Sequence, residues 1–511
     1  MIRRGLKGSV WVALVLVFLA GVAPAVAPIS DEVYMDKVRG AWLGKCIGGA
    51  LGMPIEGWPY SRIESTYPKI TGYLGYFTDG QVGWSGQVQS LEVPKDGQWH
   101  AMEFRVSVPA HDTAKDYAAP IIGLSPEFTS YPVGLAVRSL RIAQPKADIP
   151  SNGERWMASG AVFWDQDGVA QYVCPADRAW LRLRQAEAKG LALKPGDTLV
   201  ITLEAQWTGN DNHLGLAFDW LSREPRKGFG PDDDTSYQIV GLNTLEKYGP
   251  DISCKQLGTE WCASLPAIDK QLAEGLALER MRSGIEPPES GRHPIGEAIG
   301  GQMKGELWGL ICPGNPKLAA EYARRDGVVA HCDNGVYGEQ FIAAMMSAAF
   351  EEKDTRKIIE MALKEIPADS KYAETVRWVL QMHDAGKDYR EVRAEVVKKY
   401  PNACNPVYAD TGIVTLALLY GEGDFEKTIT TAASCGSDTD CDTASVGALI
   451  GCILGANALP AKWIESIGDE FRCFVQGSEN WSIAGLSTRI CALGRRVAAH
   501  HGKGMLFTAP V

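Results

Sequence analysis

Residues 433–450 read ASCGSDTDCDTASVGALI, a run that passes from closely spaced acids to small apolar residues. Asp438, Asp440 and Asp442 alternate at its start, and residues 443–454 have the length and the small side chains of a tightly packed helix. Carboxylates in the first turn of a helix face its unpaired N–H groups and its positive dipole end. Acids this close repel one another unless a cation lies among them, and oxygen ligands in alternation suit Mg²⁺, Mn²⁺ or Ca²⁺.

A second acidic stretch lies much earlier in the chain. Residues 231–236 read PDDDTS, so Asp232, Asp233 and Asp234 precede a segment with helical spacing of apolar residues. An Asp before a helix is also an ordinary N-cap, and one acid in each stretch would be enough for that. If the two stretches meet in the fold, they would hold two metal ions roughly 3.5–4 Å apart.

The composition is that of a globular protein large enough for more than one domain. The chain has 511 residues, of which 45% are hydrophobic and 22% are charged. A net charge of −11 without any basic block argues against a nucleic-acid-binding surface. The 12 cysteines permit disulfides if the protein is exported, and Cys254 and Cys262 are candidates for a bridge.

The first 27 residues have the pattern of a cleavable signal peptide. Arg3, Arg4 and Lys7 precede an apolar run over 10–19, and residues 23–25 offer a small-x-small cleavage site. The run is short for a membrane span and ends in prolines, which favours removal over a retained anchor. We therefore expect a secreted or periplasmic protein without a stable membrane anchor.

The mature chain begins with a glycine-rich helix. Ser30 caps it, and Gly40, Gly44 and Gly48 recur every four residues, a spacing that lets another backbone approach closely. The helix should break near residues 52–54 and leave Glu56 on a loop, where it is a candidate general base. The alternative is that Glu56 is an ordinary surface glutamate.

Helical periodicity disappears between residues 83 and 207. Residues 98–108, 133–142 and 199–205 alternate as strands do, with turn signals between them. We predict a β-sandwich or jelly roll at 78–225, inserted into an all-α domain built from 28–77 and 226–511. Five tryptophans in this region either fill the sandwich core or form a sugar-stacking platform: Trp99, Trp156, Trp164, Trp180 and Trp207.

The remainder of the chain is predicted to be helical. Helices are expected at 265–281, 295–310, 316–325, 355–364, 372–383, 389–399 and 425–433. Within 328–350 a buried helix follows a polar corner that is a candidate substrate pocket, formed by His331, Asp333, Asn334 and Tyr337. Helix capping by Asp333 or Asn334 is the alternative for this corner.

Three segments, taken together, resemble the ADP-ribosylglycohydrolases, the group that includes dinitrogenase-reductase-activating glycohydrolase. Residues 48–56, GGALGMPIE, are similar to the family's G-D-A-L-G-x-P-x-E. Residues 232–235, DDDT, are similar to T-D-D-T, and residues 436–441, GSDTDC, to G-G-D-T-D-T. His331 resembles the histidine of the family's central T-H segment. The order of the segments agrees with the family once the β region is set aside.

The resemblance implies an all-α fold with two Mg²⁺ or Mn²⁺ ions at the base of a ribose pocket. It implies hydrolysis of the α-glycosidic bond at the anomeric carbon of ADP-ribose. By position, Asp233 and Asp234 would be ligands from the second motif, and Asp438 and Asp440 from the third. Glu56 matches the acid that some members use near the scissile bond.

The chain departs from the family pattern at three positions. Gly49 stands where the family usually has Asp, so that carboxylate is missing. Asp232 and Cys441 stand where Thr usually ligates; the first adds a negative charge, and the second adds a thiol, a poor partner for Mg²⁺. The metal-coordination position that corresponds to Cys441 would be lost, taken by water or filled by Asp442.

The expected activity is metal-dependent hydrolysis of an ADP-ribosyl group or a related riboside. Export favours an alternative, a secreted glycosidase acting on a glycan or nucleoside furanoside. The departures at Gly49 and Cys441 favour another, a non-catalytic, metal-stabilised carbohydrate-binding protein. The expected partner in each case is a small-molecule, glycan or ADP-ribosyl substrate.

Overall fold

The computed structural model divides the protein into a large helical part and a β-rich part between its second and fourth helices. It describes residues 28–58, 60–74, 87–108, 117–126, 134–147, 155–159, 162–164, 167, 169–173, 180–183, 185–209, 212–222, 228–266, 268, 272–401, 405–502 and 506–507. The predicted signal peptide, residues 1–27, lies outside the described residues.

Helices account for most of the described chain. Their bounds are α1 (Asp31–Gly52), α2 (Tyr60–Thr66), α3 (Gln185–Gly190), α4 (Asp233–Tyr248), α5 (Cys254–Ser264), α6 (Ala273–Arg282), α7 (Glu306–Leu310), α8 (Pro316–Ala330), α9 (Asp333–Ala348), α10 (Thr355–Ala362), α11 (Lys371–Asp384), α12 (Tyr389–Lys399), α13 (Tyr408–Tyr420), α14 (Phe425–Cys435), α15 (Thr439–Leu454), α16 (Ala461–Ile467) and α17 (Ile483–His501). Within the part of the chain that the structure describes, no helix combines the length and the apolarity that crossing a bilayer requires.

The pair α1 and α15 forms the centre of the helical part. A Cβ atom built on Gly44 would lie 2.0 Å from the carbonyl oxygen of Gly447, and one on Gly447 would lie 2.3 Å from that of Gly44. Only glycine permits two helix backbones to approach this closely. This contact explains the four-residue glycine spacing of α1, and it brings the end of α1 to the start of α15.

The β-rich part contains two five-stranded antiparallel sheets. One has the order β1-β10-β3-β8-β5 and the other β2-β9-β4-β7-β6. Their strands are β1 (Gln87–Glu92), β2 (Trp99–Ser107), β3 (Tyr117–Pro126), β4 (Gly134–Gln144), β5 (Trp156–Ser159), β6 (Val162–Trp164), β7 (Ala170–Val173), β8 (Trp180–Leu183), β9 (Thr198–Trp207) and β10 (His213–Ser222). A separate two-stranded sheet joins β11 (Glu470–Arg472) to β12 (Asn480–Ser482).

The two five-stranded sheets contribute to one hydrophobic cluster. Phe104 and Ile201 come from one sheet, and Ile122 and Leu214 from the other. Trp156 is fully buried in this cluster, and Trp207 packs against it. The guanidinium of Arg138 lies 4.0 Å from the ring centroid of the partly exposed Trp99. The side chains of Trp164 and Trp180 lie outside what the structure describes.

Several predicted helices are wrong or misplaced. The segment 265–281 is helical only from Ala273 onward, in α6, because Leu265 is extended (φ −89°, ψ 142°) before Pro266, a residue that disfavours a helical conformation in its predecessor. The segment 295–310 holds a 3₁₀ turn, Ile299–Lys304, and the short α7; glycines at 296, 300, 301 and 305 weaken a continuous α-helix. The buried helix predicted within 328–350 is α9, and His331 and Cys332 separate it from α8, as expected for a helix that follows a polar corner.

Six of the described helices were not expected from periodicity: α2, α3, α5, α13, α16 and α17. Helix α13 is buried over nearly its whole length, so its sequence lacks the polar face on which periodicity depends. The bridge suggested for Cys254 and Cys262 is also wrong, since both are free thiols.

Candidate functional site

The first acidic group lies at the start of α4. Asp232 is the N-cap, and its Oδ1 accepts a hydrogen bond from the backbone N–H of Asp234 at 2.9 Å. The carbonyl oxygen of Asp232 accepts hydrogen bonds from the hydroxyls of Thr235 and Ser236. One carboxylate oxygen from each of Asp232, Asp233 and Asp234 lies within 4.8 Å of the others. The capping interpretation therefore holds for Asp232, but it leaves the other two acids unexplained.

The second acidic group lies at the start of α15. Asp438 occupies the N-cap position, yet its side chain makes no capping hydrogen bond. Ligand atoms of Asp438, Asp440 and Cys441 lie within 4.8 Å of one another, and all three side chains are buried. The Thr439 hydroxyl donates to the carbonyl oxygen of Gly52 at 2.9 Å, which fixes this turn against the end of α1. The packing of α1 on α15 thus sets the position of the group.

The two acidic groups face each other. Burial, then repulsion from Asp234, Asp233 and Asp440, raises the pKa of Asp232 well above its usual value. Burial also raises the pKa of the Cys441 thiol, with further contributions from Asp234 on α4 and Asp438 beside it. Acids from distant parts of the sequence therefore share one buried, electronegative region.

A buried lysine partly compensates this charge. The Lys45 ammonium on α1 donates to Oδ1 of Asp234 at 2.9 Å and to Oε1 of Glu306 at 3.1 Å. Burial by itself would lower the pKa of Lys45, but the two carboxylates raise it above its usual value, so the side chain stays charged. One lysine cannot neutralise both acidic groups.

Glu56 lies beside the second group. It ends the 3₁₀ turn Met53–Ile55 and is half-buried on a loop, as predicted. The backbone N–H of Gly57 donates to the carbonyl oxygen of Ser437 at 3.2 Å, which ties this loop to the residue before Asp438. The Glu56 charge is among the causes that raise the pKa of Asp438, after burial and Asp440. Glu56 is therefore not an isolated surface glutamate.

Two further aspartates lie behind the second group. Asp442 is fully buried, and neither of its carboxylate oxygens has a hydrogen-bond partner among the described residues. Burial, followed by repulsion from Asp410 on α13, raises the pKa of Asp442 well above its usual value. Asp410 is also buried and accepts a hydrogen bond from the Ser437 hydroxyl at 3.0 Å.

Sequence reasoning missed Lys45 and Asp410. Both are single charges inside apolar, glycine- or alanine-containing runs, GAWLGKCIGGALG and VYADTGIVTLALLY. A lone charge in a run that is otherwise fit for burial is the signal that would have identified them, because burying it requires a partner.

Phe229 occupies the space beside Gly49. A Cβ atom at Gly49 would lie 2.7 Å from Cζ of Phe229, which is 1% exposed. An aspartate at this position would collide with the ring, so the carboxylate missing from the motif is replaced by aromatic packing.

The predicted polar corner is divided between the interior and the surface. His331 is 1% exposed, and its Nε2 lies 3.0 Å from Oε1 of Glu274. The Asn334 amide donates to Glu297 and accepts from the backbone N–H of Tyr372. Asp333 is exposed and Tyr337 is half-buried. The capping alternative is wrong, since the N-cap of α9 is Cys332; the pocket role of these residues stays a prediction.

The residues at the two acidic groups fit divalent cations. They supply carboxylate oxygens and one thiol, and Oδ2 of Asp234 is buried without a hydrogen-bond partner among the described residues. A buried carboxylate oxygen that lacks a partner costs free energy, which a bound cation would offset. Oxygen-rich sites of this kind suit Mg²⁺ and Mn²⁺.

Comparison with known proteins finds a family model and solved structures to which the chain is similar. A family model described as ADP-ribosylglycohydrolase matches residues 30–161 and 190–496. A solved structure described as an ADP-ribosylglycohydrolase-related protein complex is 19% identical, with a TM-score of 0.39, and the match covers 54% of this chain and 84% of that chain. No curated protein matches the chain.

Proposed function

The chain belongs to the ADP-ribosylglycohydrolase family, and on that premise we propose that it is a metal-dependent glycosyl hydrolase. Its substrate carries an ADP-ribosyl group or a related riboside, and the bond cleaved is the α-glycosidic bond at the anomeric carbon. The observation that carries this proposal is the convergence of residues 232–234 and 438–441 on one buried region beside Glu56.

The proposed metal ligands come from the first turns of two helices. They are Asp232, Asp233 and Asp234 from the start of α4, and Asp438, Asp440 and Cys441 from the start of α15. Two Mg²⁺ or Mn²⁺ ions bound there would supply the positive charge that holds adjacent ribose hydroxyls and lowers the pKa of a bound water. Asp442, buried behind this turn, would orient the ligands as a neighbouring carboxylate.

Glu56 is the proposed general base. Hydrolysis at an anomeric carbon passes through an oxocarbenium-like state, and a carboxylate beside that carbon can remove a proton from the attacking water. Glu56 is half-buried, so water and substrate can reach it. The hydrogen bond from the backbone N–H of Gly57 to the carbonyl oxygen of Ser437 holds its loop against the proposed metal ligands. His331, Asp333, Asn334 and Tyr337 remain the proposed substrate pocket.

We further propose that residues 78–225 are an inserted β-sandwich and that residues 1–27 are removed on export. The shared hydrophobic cluster of the two five-stranded sheets supports the first proposal. The charged, apolar and small-residue regions of the N-terminus support the second, and the protein would then act in the periplasm or outside the cell.

The test of the proposed function is a hydrolysis assay with a matched pair of variants. Wild-type protein is incubated with Mg²⁺ or Mn²⁺ and with ADP-ribosyl-arginine, ADP-ribosyl-serine and a panel of α-ribosides, with and without EDTA. We expect turnover that EDTA abolishes. Glu56→Gln should lower kcat by about 10²–10⁴-fold, the usual contribution of a general base. Glu64→Gln, at an exposed position on α2, is the control and should retain activity.

The outcomes separate the proposed functions. Full activity of Glu56→Gln would remove the general-base role of Glu56. Turnover of glycan or nucleoside furanosides alone would favour the secreted glycosidase. Sugar binding without turnover would favour the non-catalytic protein, an alternative for which the ring of Phe229 beside Gly49 is the specific structural argument.

A further inference from the structure

A sulfur atom lies within the second acidic group. The Cys441 side chain is 5% exposed, and its Sγ is within 4.8 Å of carboxylate oxygens of Asp438 and Asp440. Thiolate sulfur is a soft ligand that binds Zn²⁺, Co²⁺ and Cd²⁺ in preference to Mg²⁺, whereas carboxylates accept both classes of ion. The identity of this one side chain therefore bears on which metal the site selects.

The surroundings of Cys441 distinguish it from a cysteine that only fills the core. Its Sγ lies 3.7 Å from Sδ of Met303, a second soft atom that is itself 2% exposed. Cys452, three turns along α15, is also buried, but burial and Lys37 are what change the pKa of its thiol, and no carboxylate of the described residues contributes. Cys441 is thus a thiol among carboxylates, while the charged group near Cys452 is an ammonium, Lys37.

The first acidic group also provides a buried carboxylate oxygen near Cys441. Oδ1 of Asp234 is held by Lys45, but Oδ2 is buried and has no hydrogen-bond partner among the described residues. Asp234 is 1% exposed and close enough to Cys441 for each side chain to perturb the other. A cation bound to the Cys441 sulfur would satisfy this oxygen as well.

We propose that Cys441 is a direct sulfur ligand and that it makes this centre selective for Zn²⁺ or Co²⁺ over Mg²⁺. The proposal rests on the metal centre of the proposed function and specifies the class of ion that it takes. Asp438 and Asp440 complete the coordination on one side and Asp234 on the other, so the site combines one soft ligand with three hard ones. Met303 shields the sulfur from water.

Cobalt titration is the direct test, because thiolate-bound Co²⁺ has a near-ultraviolet charge-transfer band that oxygen-bound Co²⁺ lacks. Chelator-treated wild-type protein, Cys441→Ser and the control Cys452→Ser are each titrated with CoCl₂. We expect the band in the wild type and in Cys452→Ser, and its loss in Cys441→Ser. Competition with Mg²⁺ should show that Cys441→Ser lowers the preference for Co²⁺ by at least about tenfold, because one soft ligand has been replaced by a hard one.

The proposal is overturned if the wild type binds Co²⁺ without the band, or if the band persists in Cys441→Ser. In the second case, other thiols are the ligands, such as the half-buried Cys254 and Cys262. Whether wild-type protein with bound Co²⁺ shows the band can be decided even if Cys441→Ser fails to fold. Cys441→Thr provides a second variant with an oxygen at this position.

The same samples separate this proposal from the proposed function. Metal-dependent turnover without a charge-transfer band would leave the hydrolase intact and exclude the sulfur ligand. A band that depends on Cys441, without turnover of any riboside in the panel, would establish the sulfur ligand and exclude the hydrolase.

Discussion

At the scale of single residues, two buried lysines each hold a pair of acids. The ammonium of Lys45 lies between the carboxylates of Asp234 and Glu306. Lys304 is fully buried, and its Nζ lies 2.9 Å from Oε2 of Glu339 and 3.3 Å from Oδ2 of Asp326. A buried ion pair adds little net stability, but removing one partner leaves an uncompensated charge in a region of low dielectric. Lys45 is therefore a structural part of the site, although it is not a metal ligand.

Replacing Lys45 by methionine should strongly destabilise the chelator-treated protein. Asp234 and Glu306 would lose their counter-ion while remaining buried, and we expect a loss of about 3–5 kcal/mol in the free energy of unfolding. Urea denaturation measures it. Lys247→Met is the control, because Lys247 pairs with Glu260 at the surface and should contribute little to the free energy of unfolding. Equal effects of the two substitutions would contradict the role given to Lys45.

His293 should make stability depend on pH on the acid side. Burial, followed by the nearby His331, lowers the pKa of His293 to about 4 in the folded protein. The unfolded chain, with an ordinary histidine pKa of about 6.5, then binds more protons between these values, so stability falls as the pH drops through that window.

The measurement is the melting temperature of wild type and His293→Gln at several pH values between 7 and 4. Glutamine can still donate to the carbonyl oxygen of Ala330, which His293 contacts at 3.0 Å. We expect a shallower loss of stability on acidification in the variant. Parallel curves for the two proteins would show that His293 does not titrate in this way.

At the scale of secondary-structure elements, the packing of α1 on α15 determines where the second acidic group lies. The backbones touch at Gly44 and Gly447, and the hydroxyl of Thr439 bonds to the last residue of α1, Gly52. The second acidic group begins α15, and the Glu56 loop follows the end of α1. A change in the separation of α1 and α15 would therefore move the second acidic group relative to Glu56.

Gly44→Ala should destabilise the protein and weaken metal binding together. The added methyl group would collide with the Gly447 carbonyl, and overpacking of this kind costs typically 1–3 kcal/mol. Gly190→Ala, in α3, is the matched control, since no atom lies within 4 Å of the added Cβ. Thermal unfolding and Mn²⁺ titration of both variants measure the effects. A Gly44→Ala protein with wild-type metal affinity would show that helix separation does not control the site.

At the scale of the whole molecule, the helical and the β-rich parts have separate hydrophobic cores. One cluster includes Trp42, Trp261 and Trp308, while the other is built from strand residues such as Phe104 and Trp156. The acidic groups belong entirely to the helical part. Since a ligand stabilises only the cooperative unit that binds it, metal should act on one core and not on the other.

Calorimetry of the metal-free and metal-bound protein tests this separation. We expect two unfolding transitions, of which Mn²⁺ shifts only one. At a free concentration one hundred times its Kd, a single bound ion adds about 2.7 kcal/mol to the unit that binds it. Asp440→Asn should reduce that shift without moving the other transition. A single transition, or an equal shift of both, would show that the two parts unfold together.

Much of the fold and of the candidate site could be predicted from sequence, because the deciding features are local. Acids at helix starts, the glycine spacing of α1, the break before Glu56 and the alternation of β2, β4 and β9 depend only on neighbours along the chain. Helix α13 was not found, because its complete burial removes the polar face that periodicity needs. The helix predicted at 265–281 begins too early, because the extended Leu265 before Pro266 keeps the first part of the segment out of α6.

The sequence by itself determined which chemical groups the protein has at its site: two acidic turns, a loop glutamate and a thiol where the family has a hydroxyl. Only the tertiary structure decided which of these groups lie close together. Lys45 neutralises Asp234, Asp410 lies behind Asp442, and Phe229 takes the place of a carboxylate at Gly49. Each of these contacts joins residues far apart in the chain, and whether a charge is paired, repelled or excluded depends on distances that only folding sets.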